Sequence, residues 1–182
     1  MEEIGTRRSI ICKQSRYALA RLNNLFEESD FEWEGIHNGA IISQTANIAD
    51  KVAIGPFSVV GQHVVVKENS KIGSHVFIGK GSTIGKGAII HSGVKIGANV
   101  VIGDGFICHA NAVIGSDGFS FVSPDGSNIR KIGNDETKTS VPKADRYVRI
   151  ASLGSVVIGN DVEIGAGSII DRGTITNTKV GN

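Results

Sequence analysis

Apolar residues recur at every sixth position from Ile36 to Ile114: Ile36, Ile42, Ile48, Ile54, Val60, Val66, Ile72, Ile78, Ile84, Ile90, Ile96, Ile102, Cys108 and Ile114. Thirteen of these fourteen are Ile or Val. Two residues before each from Ile42 on lies a second inward position, mostly small or β-branched, running from Ala40, Ala46, Val52 and Ser58 to Val100, Phe106 and Ala112. Gly follows the large residue at 55, 61, 73, 79, 85, 97, 103 and 115. A period of six cannot mark one face of an α-helix, because six steps of about 100° turn the side chain through roughly 240°. It does suit strands, in which positions two or six apart share a face. The glycines are expected to supply turns with φ > 0. Short strands with one large and one small inward residue cannot bury that face alone and must stack coil on coil. The pattern predicts a β-solenoid.

Outside the repeat the pattern changes. Ser9–Cys12 reads as a short strand, and residues 15 to 28 as a helix with Ser15 as its cap and Leu19, Leu22, Leu25 and Phe26 as its apolar stripe. That stripe is expected to pack on the neighbouring strand or first coil, and Phe31 and Trp33 to cover the first coil's open edge. After Ile114 the beat stops, and residues 116 to 155 read as a projecting loop or long hairpin. Its turn signal is Ser123-Pro124-Asp125-Gly126-Ser127 and its return strand is Tyr147-Val148-Arg149-Ile150. The beat resumes at Ile158, Ile164 and Ile170, shifted in phase, and Asp171-Arg172-Gly173 interrupts it again.

Composition narrows the reading. The 24 Gly and few aromatic residues in 182 suit a narrow solenoid. A net charge of +1 points to neither nucleic acid nor an anionic membrane. No run approaches the roughly 20 apolar residues of a membrane span. The chain opens Met-Glu-Glu without the basic and apolar regions of a secretory signal. Cys12 and Cys108 are far apart, so a reduced, cytoplasmic setting is expected. His37, His91 and His109 each follow a rail position and fall on one corner. His91 and His109 lie one 18-residue coil apart, stacked at about 4.8 Å. They read as exposed corner residues rather than as a metal pair or acid and base, since no third ligand or carboxylate is placed beside them. No metal or cofactor is expected. Residues 122 to 155 of the insertion carry Arg130, Lys131, Lys138, Lys143, Arg146 and Arg149 against Asp125, Asp135, Glu136 and Asp145, an excess of two positive charges. That excess suits either a solvated loop or the docking of an acidic carrier protein.

The repeat resembles the hexapeptide-repeat acyltransferases, which implies an all-β, left-handed parallel β-helix with three hexapeptides per 18-residue coil, and roughly four and a half coils from 36 to 114. Within that superfamily Ile114-Gly115-Ser116-Asp117-Gly118-Phe119, the segment Val157 to Ala166 and Ile170-Asp171-Arg172-Gly173 resemble the UDP-3-O-acylglucosamine N-acyltransferases of lipid A biosynthesis. The resemblance implies transfer of a 3-hydroxyacyl chain from acyl carrier protein to the 2-amine of a UDP-3-O-acylglucosamine by a homotrimer. It implies that residues 1–34 correspond to the last strand and helix of an N-terminal uridine-binding domain, truncated here, and that 35–182 form the β-helix with its insertion at 116–155. The family's catalytic His falls in the coil beyond Asp-Arg-Gly, past Asn182, so no catalytic residue is assigned. The matching substrate-binding candidates are Asp117, Gly118, Phe119, Asp171 and Arg172. For Asp171 and Arg172, satisfying backbone groups at a coil corner is an equal reading. A non-catalytic trimeric β-helix scaffold and another hexapeptide acyl- or acetyltransferase are the alternatives.

Overall fold

A computed structural model describes residues 12–26, 28, 31–123 and 147–182. It divides into two compact units, Met1–Glu32 and Trp33–Asn182. In the first, α1 (Ser15–Asn23) is the one described helix and is shorter than the expected 15 to 28. Its N-cap is Gln14, with no side-chain cap bond, so Ser15 is the first helical residue rather than the cap. Leu19, Leu22, Leu25 and Phe26 are exposed, and most of the strand expected to cover them lies outside the described residues. A short helix of mixed polar sequence has too little buried apolar area to extend further. Most of the expected strand at residues 9 to 12 lies outside the described residues, and Cys12 is exposed.

The second unit is a three-faced parallel β-helix. Strands two to four residues long stack at 18-residue steps, and the six on the first face run Ile41–Ile42, Val59–Val60, Phe77–Ile78, Lys95–Ile96, Val113–Ser116 and Ile169–Asp171. The second face runs from Asn47–Ile48 to Thr178–Val180 and the third from Ala53–Ile54 to Glu163–Ile164. Every pairing between successive coils is parallel, and the rail residues stand in register: Ile42 pairs with Val60, and Val60 in turn with Ile78 one coil on. The interior is mostly aliphatic: the large residues from Ile54 to Ile114 are buried, as are Val64, Val76, Val94 and Val100 between them.

Three of the small inward positions are Ser, and each joins neighbouring coils. Ser58 Oγ donates to Gly73 O at 2.7 Å and accepts from Val76 N–H at 3.0 Å. Ser70 does the same with Gly85 O and Ala88 N–H, and Ser82 with Gly97 O and Val100 N–H. A buried hydroxyl is tolerated here because both its donor and its acceptor capacity are used.

The glycines do something other than expected. Of those that follow a large residue, Gly115 alone has a left-handed φ, of 82°. The left-handed corner sits three residues after the large position, at Lys51, Phe57, His63, Asn69, His75, Asn99, Asn111 and Asp161, and at Gly81, Gly87, Gly93 and Gly105. The rail glycines are required by space instead. A Cβ on Gly73 would lie 2.6 Å from Ser92 N, and one on Gly79 2.6 Å from Gly97 C, so side chains there would drive adjacent coils apart. Trp33 closes over one of them, Gly55, whose Cβ would enter the indole ring.

The insertion leaves the first face after Val113–Ser116 and returns to the second at Val156–Ile158. At its root Phe121–Val122 pairs antiparallel with Val148–Arg149, the expected return strand. The coil closes beneath it without a break: Ile102 pairs with Ile158, Cys108 with Ile164 and Ile114 with Ile170, a step of 56 residues in place of 18. The shift in phase that is visible in the sequence is therefore absorbed by the insertion. The turn after Asp171 is also longer than usual, since Val180 pairs with Ile158.

Candidate functional site at the root of the insertion

Among the described residues, charged side chains converge most densely at the corner where the insertion leaves the coil. Asp117 is the first residue beyond the first-face strand, Arg149 comes from the returning strand, and Asp171 and Arg172 follow from the next coil, placed there by the pairing of Ser116 with Asp171. Asp117 Oδ2 lies 3.2 Å from Arg149 Nη2, and its Oδ1 3.8 Å from Arg172 Nε. Arg172, the more buried of the two guanidiniums, donates from Nε to Gly115 O at 3.0 Å and from Nη2 to Ala98 O at 3.2 Å. Ser116 Oγ donates to Asp171 Oδ1 at 2.5 Å, and Arg172 N–H to Ser116 O at 2.9 Å. Thr178 Oγ1 donates to the Asp171 carbonyl at 2.7 Å.

Four of the five candidates named from sequence thus meet. Gly118 packs against Asp171, its would-be Cβ 3.6 Å from Oδ2, and its carbonyl accepts from Arg149 at 3.5 Å. Phe119 stands apart from the ionic group: it is 96% exposed and touches Phe121, ring centroids 5.1 Å apart. Two members were not named as candidates. Arg149 looked like one loop charge among six, and Ser116 like the first residue of the projecting loop. The signal that finds Ser116 is the interruption of the beat at 116 and at 171, which the coil stacks on one face, whereas Arg149 reaches the corner through the return strand. The corner supplies fixed charges and hydrogen-bonding groups but no imidazole or thiol among its described residues. Arg172 satisfies two backbone carbonyls, which is the corner-satisfying reading of that residue, and braces Asp117 at once.

A second cluster corrects the reading of the histidines. His91 and His109 stack as expected, with centroids 5.2 Å apart and planes 8° from parallel. A carboxylate does stand beside them: Glu163 Oε1 is 2.6 Å from His109 Nε2. The insertion hid it, because Glu163 reaches His109 only when residue 163 is laid over residue 107. Both side chains of that pair remain well exposed, and no group of three or more His, Cys, Asp or Glu among the described residues is arranged to hold a metal. Of the loop charges, Arg130 to Arg146 and Asp125 to Asp145 lie outside the described residues.

This repeat, with its three faces and interrupted corner, defines a class. The "Bacterial transferase hexapeptide (six repeats)" family matches residues 45–80 and 69–104, and the all-β, left-handed parallel β-helix expected of that repeat is the fold of the second unit. The chain carries the hexapeptide repeat of bacterial transferases, and over most of its length it is similar to the UDP-3-O-acylglucosamine N-acyltransferases. It is 38% identical to the enzyme of that name from Marinomonas sp. (strain MWYL1) over 96% of this chain and 45% of that protein. It is 49% identical to that of Psychrobacter cryohalolentis over 91% of this chain and 44% of that protein. The chain therefore spans less than half the length of these relatives. Among solved structures, a hexapeptide transferase family protein from Anaplasma phagocytophilum is similar at 17% identity over 81% of this chain and 69% of that one, with a TM-score of 0.44. No described helix is long and apolar enough to cross a membrane.

Proposed function

We propose that this chain is the β-helix portion of an acyl carrier protein-dependent N-acyltransferase of lipid A biosynthesis. It would transfer a 3-hydroxyacyl chain to the 2-amine of UDP-3-O-acylglucosamine in the cytoplasm. The observation that carries the reading is identity of 38% and 49% to relatives of that name, running through both the coil and the interrupted corner. In the reaction the amine nitrogen attacks the thioester carbonyl, the C–N bond forms, the carrier's thiol leaves, and a base takes the amine proton. Asp117, Gly118, Phe119, Asp171 and Arg172 line the substrate site in this reading, with Asp117 and Arg172 holding polar groups of the sugar nucleotide and Phe119 offering an apolar contact. The base is not assigned to His91 or His109, which lie at the corner between the third and first faces, whereas the insertion leaves between the first and second. Residues 1–34 correspond to part of the uridine-binding domain, and the basic excess of the insertion suits an acidic carrier.

A homotrimer is the assembly that suits the first face, whose outward residues Ile41, Phe77 and Ile169 are 66%, 44% and 68% exposed. Lys95, which lies between them, turns its ammonium aside to His75 O and Gly93 O. An apolar stripe along a flat sheet face suits burial against copies of itself.

Binding tests the reading. Titration of the chain with UDP-3-O-acylglucosamine and, separately, with 3-hydroxyacyl carrier protein is expected to show saturable binding of both. Arg172→Ala is expected to weaken the sugar nucleotide about tenfold, as loss of a charged hydrogen bond does. Turnover is not expected, since the interrupted corner offers no imidazole among its described residues. Absence of binding to both substrates, with the fold intact, sinks the transferase reading in favour of a scaffold.

A further inference from the structure

The first turn of the coil holds a separate chemistry. Asn38-Gly39 is the sole Asn-Gly pair in the chain, and it occupies the centre of a turn closed by Ala40 N–H donating to His37 O at 2.9 Å. Gly39 N–H donates to His37 Nδ1 at 3.0 Å. In that contact Nδ1 is the acceptor, the nitrogen able to take a proton. His37 and Asn38 are exposed, and Gly39 is half-buried.

We propose that Asn38 is a site of spontaneous deamidation, with His37 as its built-in base. The Gly39 amide gives its proton to His37 Nδ1, and its nitrogen attacks Asn38 Cγ. An N–C bond forms, closing a five-membered succinimide, and the Cγ–Nδ2 bond breaks. The imidazole returns the proton to the departing nitrogen, which leaves as ammonia. Water then opens the ring at either carbonyl, giving aspartate, or isoaspartate with the backbone routed through the β-carbon. No oxidant or cofactor enters.

Three features favour this Asn. Gly39 has no Cβ to obstruct approach to its nitrogen. The base already lies within hydrogen-bond reach of the proton it must take. Water has free access to the exposed side chain. Other asparagines are held differently. Asn160 Oδ1 accepts from Asp104 N–H at 2.8 Å and Asn177 Oδ1 from Ser155 N–H at 2.8 Å, and each is followed by a residue with a side chain, Asp161 and Thr178. The product adds a negative charge to the edge that already carries His37, His75, His91 and His109.

The test is incubation of the folded protein at neutral pH, with residue-resolved peptide mass spectrometry over time. Asn38 is expected to gain the mass of an amide-to-acid conversion about tenfold faster than Asn160 or Asn177. His37→Ala is expected to slow it about tenfold, less than the roughly hundredfold of a well-isolated general base because water can still take the proton. Gly39→Ala is the second variant. Its Cβ would meet nothing nearer than His37 Nδ1 at 3.4 Å and its φ is not left-handed, so the fold accepts it while the attacking nitrogen becomes hindered. Conversion of Asn160 or Asn177 ahead of Asn38 overturns the site. Conversion of His37→Ala at the parent rate, with melting curves unchanged, overturns the base.

Discussion

At the scale of single residues, two buried polar groups show how the coil tolerates what an aliphatic interior normally excludes. Ser58 is fully buried, yet its hydroxyl links Gly73 O to Val76 N–H in the next coil. Ser58→Ala leaves both backbone groups without that partner, and a loss of about 3 kcal/mol in urea unfolding is expected; a loss near zero would show that water replaces the hydroxyl. Cys108 is buried with its Sγ donating weakly to His109 O at 3.9 Å, and burial pushes its thiol from 9.0 up to about 12. A folded-state pKa above the unfolded one means that the thiol's stabilising contribution is complete below pH 9.0 and is lost as pH rises toward about 12. Unfolding midpoints measured across that range are expected to fall more steeply for the parent than for Cys108→Ala; parallel curves would contradict the shift. The sequence identified Cys108 as an inward small hydrophobe, but the protonation behaviour depends on how completely neighbouring coils exclude water.

At the scale of the coil, the two exceptions in the repeat explain one another. Phe106 is the sole aromatic residue at a small inward position, and Cys108, two residues on in the same strand segment, is the sole large position that is neither Ile nor Val. Both are fully buried. Register also places Ala88 one coil before Phe106 and Val162 one coil after, so the ring has a single methyl on one side. Cores hold volume nearly constant, and a larger residue at one inward position is matched by smaller ones beside it. Cys108→Ile is expected to cost about 2 kcal/mol through overpacking. In the background of Phe106→Val the same change is expected to cost at least about 1 kcal/mol less, which a double-mutant cycle measures. Additive effects would mean that the two residues do not share the space. The rail glycines belong to this scale too. Their recurrence was legible, but its cause was not: sequence suggested a backbone conformation, and the structure shows a limit on coil spacing, because contacts 18 residues apart are not visible as neighbours in a linear chain.

At the scale of the whole molecule, stacking brings together what the insertion separates. Asp117 and Arg172 meet only because the coil resumes in register after a step of 56 residues, and the same step sets Glu163 against His109. The first face also acquires its character from stacking, since Ile41, Phe77 and Ile169 form a stripe only when their strands are aligned. If that stripe joins copies of the chain, Phe77→Lys is expected to convert a trimer to monomers in sedimentation while leaving the interior rail untouched. A parent chain that sediments as a monomer removes the premise.

The six-residue beat by itself determined the strand type, the inward positions and the stacked architecture, because side-chain alternation and the need to bury a one-sided strand leave few other solutions. It also marked where the pattern breaks, while the resemblance of those segments to the N-acyltransferases, rather than the beat, named four of the residues that meet at the interrupted corner. Only the tertiary structure decided the partners: Arg149 on Asp117, Glu163 on His109, and a glycine at each crowded step where no Cβ fits. The physical reason is that periodicity specifies which way a side chain points, whereas contact across coils depends on how many residues each turn, and the insertion between turns, takes up.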